Sequence, residues 1–154
     1  MRWIVIATGR LREPFYREAC AEYLGRLQRQ RPVTAIEIDE VQPRAGAVER
    51  AARLEAERLR KAAGPARIVA LTERGEALST ERFAARLEEL EREPGDLAFV
   101  LGGPSGLDPE LERSAAWRLS LSPLTFPYQL ARLVLLEQLY RAETLRRNEP
   151  YHRP

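Results

Sequence analysis

The chain has 154 residues, a formal net charge of +2, 44% hydrophobic and 31% charged residues, and one cysteine, Cys20. That predicts a single domain, 1–154, able to bury a core without disulfides or metals. It excludes an intramolecular disulfide, and no apolar run approaches the roughly 20 residues that span a bilayer, so a cytoplasmic protein with no membrane partner is expected.

The elements follow in chain order. An apolar start at 3–7 reads as a buried strand and is too short for a signal-peptide core. The segment 15–27 reads as a helix with Phe15, Ala19, Tyr23 and Leu27 on one face. Val33–Ile38 reads as the second strand, and 47–63 as a helix with Val48, Ala52, Leu59 and Ala63 amid dense charge, stopped by Gly64-Pro65. A third strand is predicted at 67–71. Ser79 is placed to cap a helix over 80–91 that turns Phe83, Leu87 and Leu90 inward. Leu97–Leu101 is the fourth strand; Asp108-Pro109 starts a short helix, with Asp as cap and Pro in the first turn. The fifth strand is 117–121, and the last helix is 128–147.

Strands alternating with helices, and strands apolar throughout their length, imply an α/β fold: a mostly parallel sheet with helices on both faces. The last helix carries Leu130, Leu133, Val134, Leu135, Leu136, Leu139 and Tyr140, more than one core-facing stripe. The surplus predicts a homodimer, with Leu133, Leu136 or Tyr140 at the contact. Lys61 is the sole lysine. Arginine grips phosphate with a planar fork, but GC-rich coding explains most of such a bias. RNA binding must therefore rest on local clusters: Arg10 with Arg12, and Arg141 with Arg146, Arg147 and Arg153.

The most informative stretch is FVLGGPSGL, 99–107, where a buried strand runs into a glycine-rich loop. Glycine lets a ligand approach the backbone with no Cβ in the way, and the carboxyl ends of strands are where open α/β sheets bind ligands. Ser105 does not sit in a G-x-S-x-G nucleophile elbow, and no G-x-G-x-x-G follows the first strand. One cysteine and one histidine cannot build a usual zinc site, so no metal is expected.

Together, FVLGGPSGL, LSLSPLTFP (119–127), LARLVLLEQLYRAETL (130–145) and EPYHR (149–153), with IVALTERGEALSTERFA (68–84), resemble the RlmH family, bacterial SPOUT-class methyltransferases of 23S ribosomal RNA. The likeness is strong from Ile68 onward and weak over 11–64. It implies a SPOUT fold with a carboxyl-terminal trefoil knot, S-adenosylmethionine as cofactor, and a homodimer acting on N3 of a pseudouridine in helix 69 of 23S ribosomal RNA within the assembled ribosome. It places the cofactor among Leu71, Gly102, Gly103, Leu121, Ser122, Pro123, Leu124, Thr125 and Phe126. Leu71, Leu121, Leu124 and Phe126 would form a slot for adenine, and Ser122 and Thr125 would donate hydrogen bonds.

It also places catalysis in the tail, beside the partner subunit. Methylating N3 requires loss of a weakly acidic proton. His152, the only histidine, would take it; Arg141 or Arg153 would favour the anion; Tyr151 would stack on the target base. Many members have Asp where this chain has Thr72 and His where it has Tyr128, which leaves more weight on His152. A SPOUT enzyme for another RNA position, or a non-catalytic ribosome-binding module of the same fold, are the alternatives.

Overall fold

The computed structural model describes residues 1–153. Among these, five strands form one parallel sheet: β1 (Trp3–Thr8), β2 (Val33–Ile38), β3 (Arg67–Ala77), β4 (Leu97–Leu101) and β5 (Trp117–Ser120), in the order β2-β1-β4-β3-β5. Every residue of β1 and β4 is buried, as strands covered on both faces must be. Edge strand β2 instead exposes Thr34, Ala35 and Glu37.

Side chains alternate between the two faces. Trp3, Val5, Ala7, Val69 and Phe99 point towards α1 (Pro14–Gln28), α3 (Thr80–Leu90) and α5 (Tyr128–Arg146). Ile4, Ile6, Ala70, Ala98 and Val100 point towards α2 (Val48–Ala63) and α4 (Pro109–Ser114). The expected helices on both faces are thus present. Among the described residues no helix is long and apolar enough to cross a membrane.

The local signals act as read. Ser79 Oγ accepts from Arg82 N at 3.3 Å at the start of α3, and Asp108 Oδ2 from Leu111 N at 3.3 Å at the start of α4. Gly64, at φ +56, ends α2.

Four expectations need correction. Phe15 is 61% exposed, while Cys20 and Leu27 are the buried residues of α1. An i, i+4 stride advances about 40° beyond a full turn, so over three strides the stripe rotates by about 120° and Phe15 leaves the core. Val48, the first residue of α2, is 44% exposed. Leu136 is 2% exposed within the chain's own core, so it is unavailable to a partner. And β3 does not end at Leu71. Residues 72–75 leave the ladder, and Glu76 and Ala77 resume pairing with β5, so that Leu71 and Glu76 both register with Leu119. Gly75 permits this: a Cβ there would lie 2.7 Å from the backbone carbons of Arg118 and Leu119.

A buried ionic clasp fixes the end of α5. The Arg31 guanidinium lies 3.5 Å from the Trp3 ring centroid and pairs with Glu91 at 2.7 Å and Glu143 at 3.1 Å. Arg146 pairs with Glu91 at 2.5 Å, and Arg147 donates to Gln30 O. The clasp sets where the tail begins.

Candidate active site

The stretch of β3 that leaves its ladder after Leu71 and the carboxyl ends of β4 and β5 meet the start of α5 around a cleft of about 430 Å³, within the range of small-molecule sites. Leu71, Gly102, Gly103, Leu121, Ser122, Leu124, Thr125 and Phe126 line it. Pro123 does not: it is exposed, between the lining residues Ser122 and Leu124. Thr72 and Tyr128, the two departures from the family pattern, also line the cleft, as do Arg74, Leu107 and Glu112, which were not read from the sequence as site residues. Thr72 and Arg74 arrive there because β3 leaves its ladder; Glu112 arrives because Asp108 starts α4 beside the glycine loop. Neither event carries a motif.

The two glycines also serve the packing of their own loop. A Cβ on Gly102 would lie 2.8 Å from the Gly106 carbonyl carbon and 3.0 Å from Leu107 N. A Cβ on Gly103 would lie 3.1 Å from Thr8 Cγ2. Their missing side chains therefore let the loop fold on itself and on β1. What they present to the cleft is backbone. Gly106, at φ +76, closes the turn, and its N–H donates to Gly103 O at 2.9 Å.

The wall following β5 is held by hydroxyls. Ser120 Oγ donates to Ser122 O at 3.0 Å, and Ser122 Oγ accepts from Leu124 N at 3.0 Å. The Ser122 hydroxyl keeps its own proton to donate. Leu124 is 72% exposed, an apolar side chain standing open at the cleft. Opposite charges complete the lining: Arg74 Nη2 donates to Glu112 Oε1 at 2.5 Å, and Glu112 is 5% exposed. An apolar slot of leucines and Phe126, exposed backbone groups, and two carboxylates, Glu73 and Glu112, beside the Arg74 guanidinium fit a ligand with a flat heterocycle, ribose hydroxyls and a zwitterionic amino-acid end. S-adenosylmethionine has that chemistry. Among the described residues no group of three or more metal-ligating side chains is found.

The tail residues form a second cluster, apart from the cleft. Tyr151 Oη donates to Glu137 Oε1 at 3.1 Å, and its ring packs edge-on to Tyr140 at 4.7 Å and under the Arg141 guanidinium at 4.7 Å. Burial and the neighbouring Tyr23 and Glu137 push the Tyr151 hydroxyl pKa up. Arg141 is held by Glu137 at 2.6 Å, and that bond raises its pKa further. His152 Nε2 lies 2.9 Å from Glu81 Oε1, and its Nδ1 lies 3.3 Å from Arg141 Nη1. Arginine has only donors, so Nδ1 accepts and Nε2 carries the proton that Glu81 receives. Arg153 is exposed. Arg141, Tyr151 and His152 are thus brought together, but none of them lines the cleft of its own chain.

One face of α5 is left half open. Leu130, Leu133, Val134, Glu137, Tyr140 and Arg141 follow helical spacing and are half-buried, whereas Leu135, Leu136, Leu139 and Ala142 fill the core. The half-open face begins near Ala131, which lines the cleft, and ends at the tail cluster. At 1.5 Å per residue the two ends are about 17 Å apart.

A family model described as a predicted SPOUT methyltransferase matches residues 1–152. The ribosomal RNA large subunit methyltransferase H of Sorangium cellulosum is 44% identical over 153 residues, covering 98% of this chain and 99% of the relative. That of Dechloromonas aromatica is 43% identical, covering 99% of both. Among solved structures, a tRNA (m1G37) methyltransferase from Aquifex aeolicus superposes with a TM-score of 0.53 at 13% identity, covering 92% of this chain and 69% of that one. A methyltransferase from Legionella pneumophila in complex with SAM gives 0.50 at 14% identity, covering 92% and 66%. At those identities the solved structures show the fold alone.

Proposed function

Since the chain belongs to the SPOUT methyltransferase family and to its large-subunit ribosomal RNA branch, we propose that it methylates N3 of a pseudouridine in helix 69 of 23S ribosomal RNA, as a homodimer acting on the assembled ribosome. The chain is an S-adenosylmethionine-dependent methyltransferase of large-subunit ribosomal RNA. The observation that carries the reading is the cleft at the strand ends, which gathers three separate sequence segments around a space fitted to that cofactor.

The bound cofactor supplies a methyl group activated on a sulfonium. Leu71, Leu121, Leu124 and Phe126 would hold its adenine, and the 102–106 loop would offer backbone groups. Transfer by direct displacement depends on alignment more than on covalent help. The proton on N3 of the target base must leave. His152 Nδ1 takes it once Arg141 swings from the imidazole to the developing anion, where a guanidinium is worth most. Tyr151 stacks on the base, and Arg153 contacts phosphate or the anion.

A two-fold dimer supplies the missing geometry. Two α5 helices packed antiparallel through Leu130, Leu133, Val134 and Tyr140 exchange ends, which brings one protomer's tail cluster to the other's cleft across the same 17 Å or so. Exposed Phe15 extends this apolar surface, because Arg12 N, just before α1, donates to Gln129 Oε1 of α5 at 2.7 Å.

The deciding experiment incubates the protein with labelled S-adenosylmethionine and undermethylated ribosomes and maps the labelled nucleotide. Label at N3 of a helix 69 pseudouridine is the expected result. Label elsewhere would assign another RNA position. Cofactor binding with no transfer to any ribosomal particle would leave a non-catalytic binding module.

A further inference from the structure

Beside the cofactor cleft, and sharing Arg74 with it, lies a second open groove of about 630 Å³. Its walls are residues 74–76 of β3 on one side and 113–118, the end of α4 and the start of β5, on the other. Three arginines, Arg74, Arg113 and Arg118, face a single carboxylate, Glu76. That carboxylate is engaged, since Glu76 Oε2 accepts from Trp117 Nε1 at 2.8 Å. Arg74 is paired with Glu112 yet its side chain remains 70% exposed. Among the described residues no carboxylate lies within 4.0 Å of the Arg113 or Arg118 guanidinium, and both residues are exposed. Some exposed arginines elsewhere are paired with acids, as Arg10 is with Asp39 and Arg12 with Glu40, whereas the groove gathers three within one short stretch of surface.

The groove is built by the backbone. The four-residue departure of β3 from its ladder forms one wall, and Gly75 lets β3 close on Arg118 and Leu119. Trp117 is only 5% exposed, so the groove offers no aromatic face for stacking a base. It offers three cations, one of which, Arg74, also lines the cleft. Such a surface suits the sugar-phosphate backbone, which positions a nucleic acid without reading its sequence.

We propose that this groove binds the phosphates of the ribosomal RNA strand flanking the target nucleotide, with Arg113 and Arg118 as the contacts and Arg74 at the junction with the cleft. The proposal rests on the reading of the protein as a ribosomal RNA methyltransferase. It also explains how a chain of net charge +2 holds RNA: the useful charge is local.

The test is the Arg113→Ala/Arg118→Ala variant, whose two truncated side chains are exposed and carry no core packing. A charge-matched control, Arg50→Ala/Arg53→Ala, removes two exposed arginines from α2, which packs on β1 and β2. Binding of a fluorescein-labelled RNA hairpin is measured against salt, and ribosome methylation is measured in parallel. The groove variant is expected to bind RNA at least about fivefold more weakly. Its salt slope should fall by about 1.4–1.8, the loss of two phosphate contacts. KM for ribosomes should rise, with kcat at saturation and S-adenosylmethionine affinity within twofold of wild type. Unchanged RNA affinity and slope would overturn the proposal, as would an equal loss in the α2 control, which would assign the effect to overall charge. Should wild-type protein fail to methylate ribosomes, the substrate reading falls; the RNA-binding comparison still decides the groove.

Discussion

Replacing Gly102 by alanine tests the cleft at the point where the geometry is tightest. The added Cβ would meet the Gly106 carbonyl carbon at 2.8 Å and Gly106 O and Leu107 N at 3.0 Å. All three are backbone atoms, so no side chain can rotate away, and the 102–106 loop must open by about half an ångström or more to restore ordinary contact. A ligand held by backbone groups of that loop loses alignment in one or two hydrogen bonds, each worth about 0.5–1.5 kcal/mol. Calorimetry with S-adenosylmethionine should therefore show at least about tenfold weaker binding, or about 1.4 kcal/mol. Overpacking should also cost about 1–3 kcal/mol of stability. Gly103→Ala is the informative companion. Its Cβ meets Thr8 Cγ2 at 3.1 Å, a side-chain methyl that Thr8→Ser removes. The Gly103→Ala/Thr8→Ser double variant should recover most of the affinity lost by Gly103→Ala, whereas Gly103→Val, with two further methyls, should not be rescued. Wild-type affinity and melting temperature in Gly102→Ala would refute the account of the loop.

The tail should carry transfer and not cofactor binding. Deleting 149–154 should leave S-adenosylmethionine affinity within a few-fold and cut methyl transfer about 100-fold or more, and wild-type rates from the truncated enzyme would place the active site elsewhere. Sedimentation at low micromolar concentration should give about twice 17.6 kDa, and Leu133→Glu or Tyr140→Glu should give monomers that still bind the cofactor; a monomeric wild type would sink the dimer. Free 23S ribosomal RNA should be methylated more slowly than whole ribosomes, with equal rates counting against the assembled substrate. Burial works to raise the Glu91 pKa, but the Arg146 hydrogen bond and the Arg31 charge outweigh it and hold the carboxyl below the ordinary glutamate range. A carboxylate depressed on folding contributes stability above its unfolded pKa, about 4.3, which is lost as pH falls through the lower folded value. Urea midpoints of the wild type should thus fall more steeply below pH 5 than those of Glu91→Gln, and parallel profiles would remove the clasp from the acid response.

Local rules were enough to place most elements. A continuous apolar run gave β4 its bounds, because a strand buried on both faces has no polar position to spare. Ser79 and Asp108 marked helix starts because a cap is a contact between residues three apart. The cleft segments were legible too, since glycine and proline in the 102–106 and 121–127 stretches announce unusual backbone close to strand ends.

Other features were decided by contacts that sequence spacing does not contain. That Gly102 and Gly103 serve loop packing depended on Gly106 and Thr8 arriving beside them. The extension of β3 to Ala77 depended on Gly75 meeting Arg118, and it is what carries Arg74 to both cleft and groove. Arg132, a charged residue in an apolar run, is buried because its guanidinium donates to Gly9 O at 2.8 Å and pairs with Glu37 at 2.6 Å, partners 123 and 95 positions away. The tail's cluster with Glu81 and Glu137 likewise joins two helices far apart in the chain. Periodicity and capping act over a few residues, so one sequence displays them. The pairing of distant segments is set by the free energy of the whole packed chain, and only the tertiary structure records which of them meet.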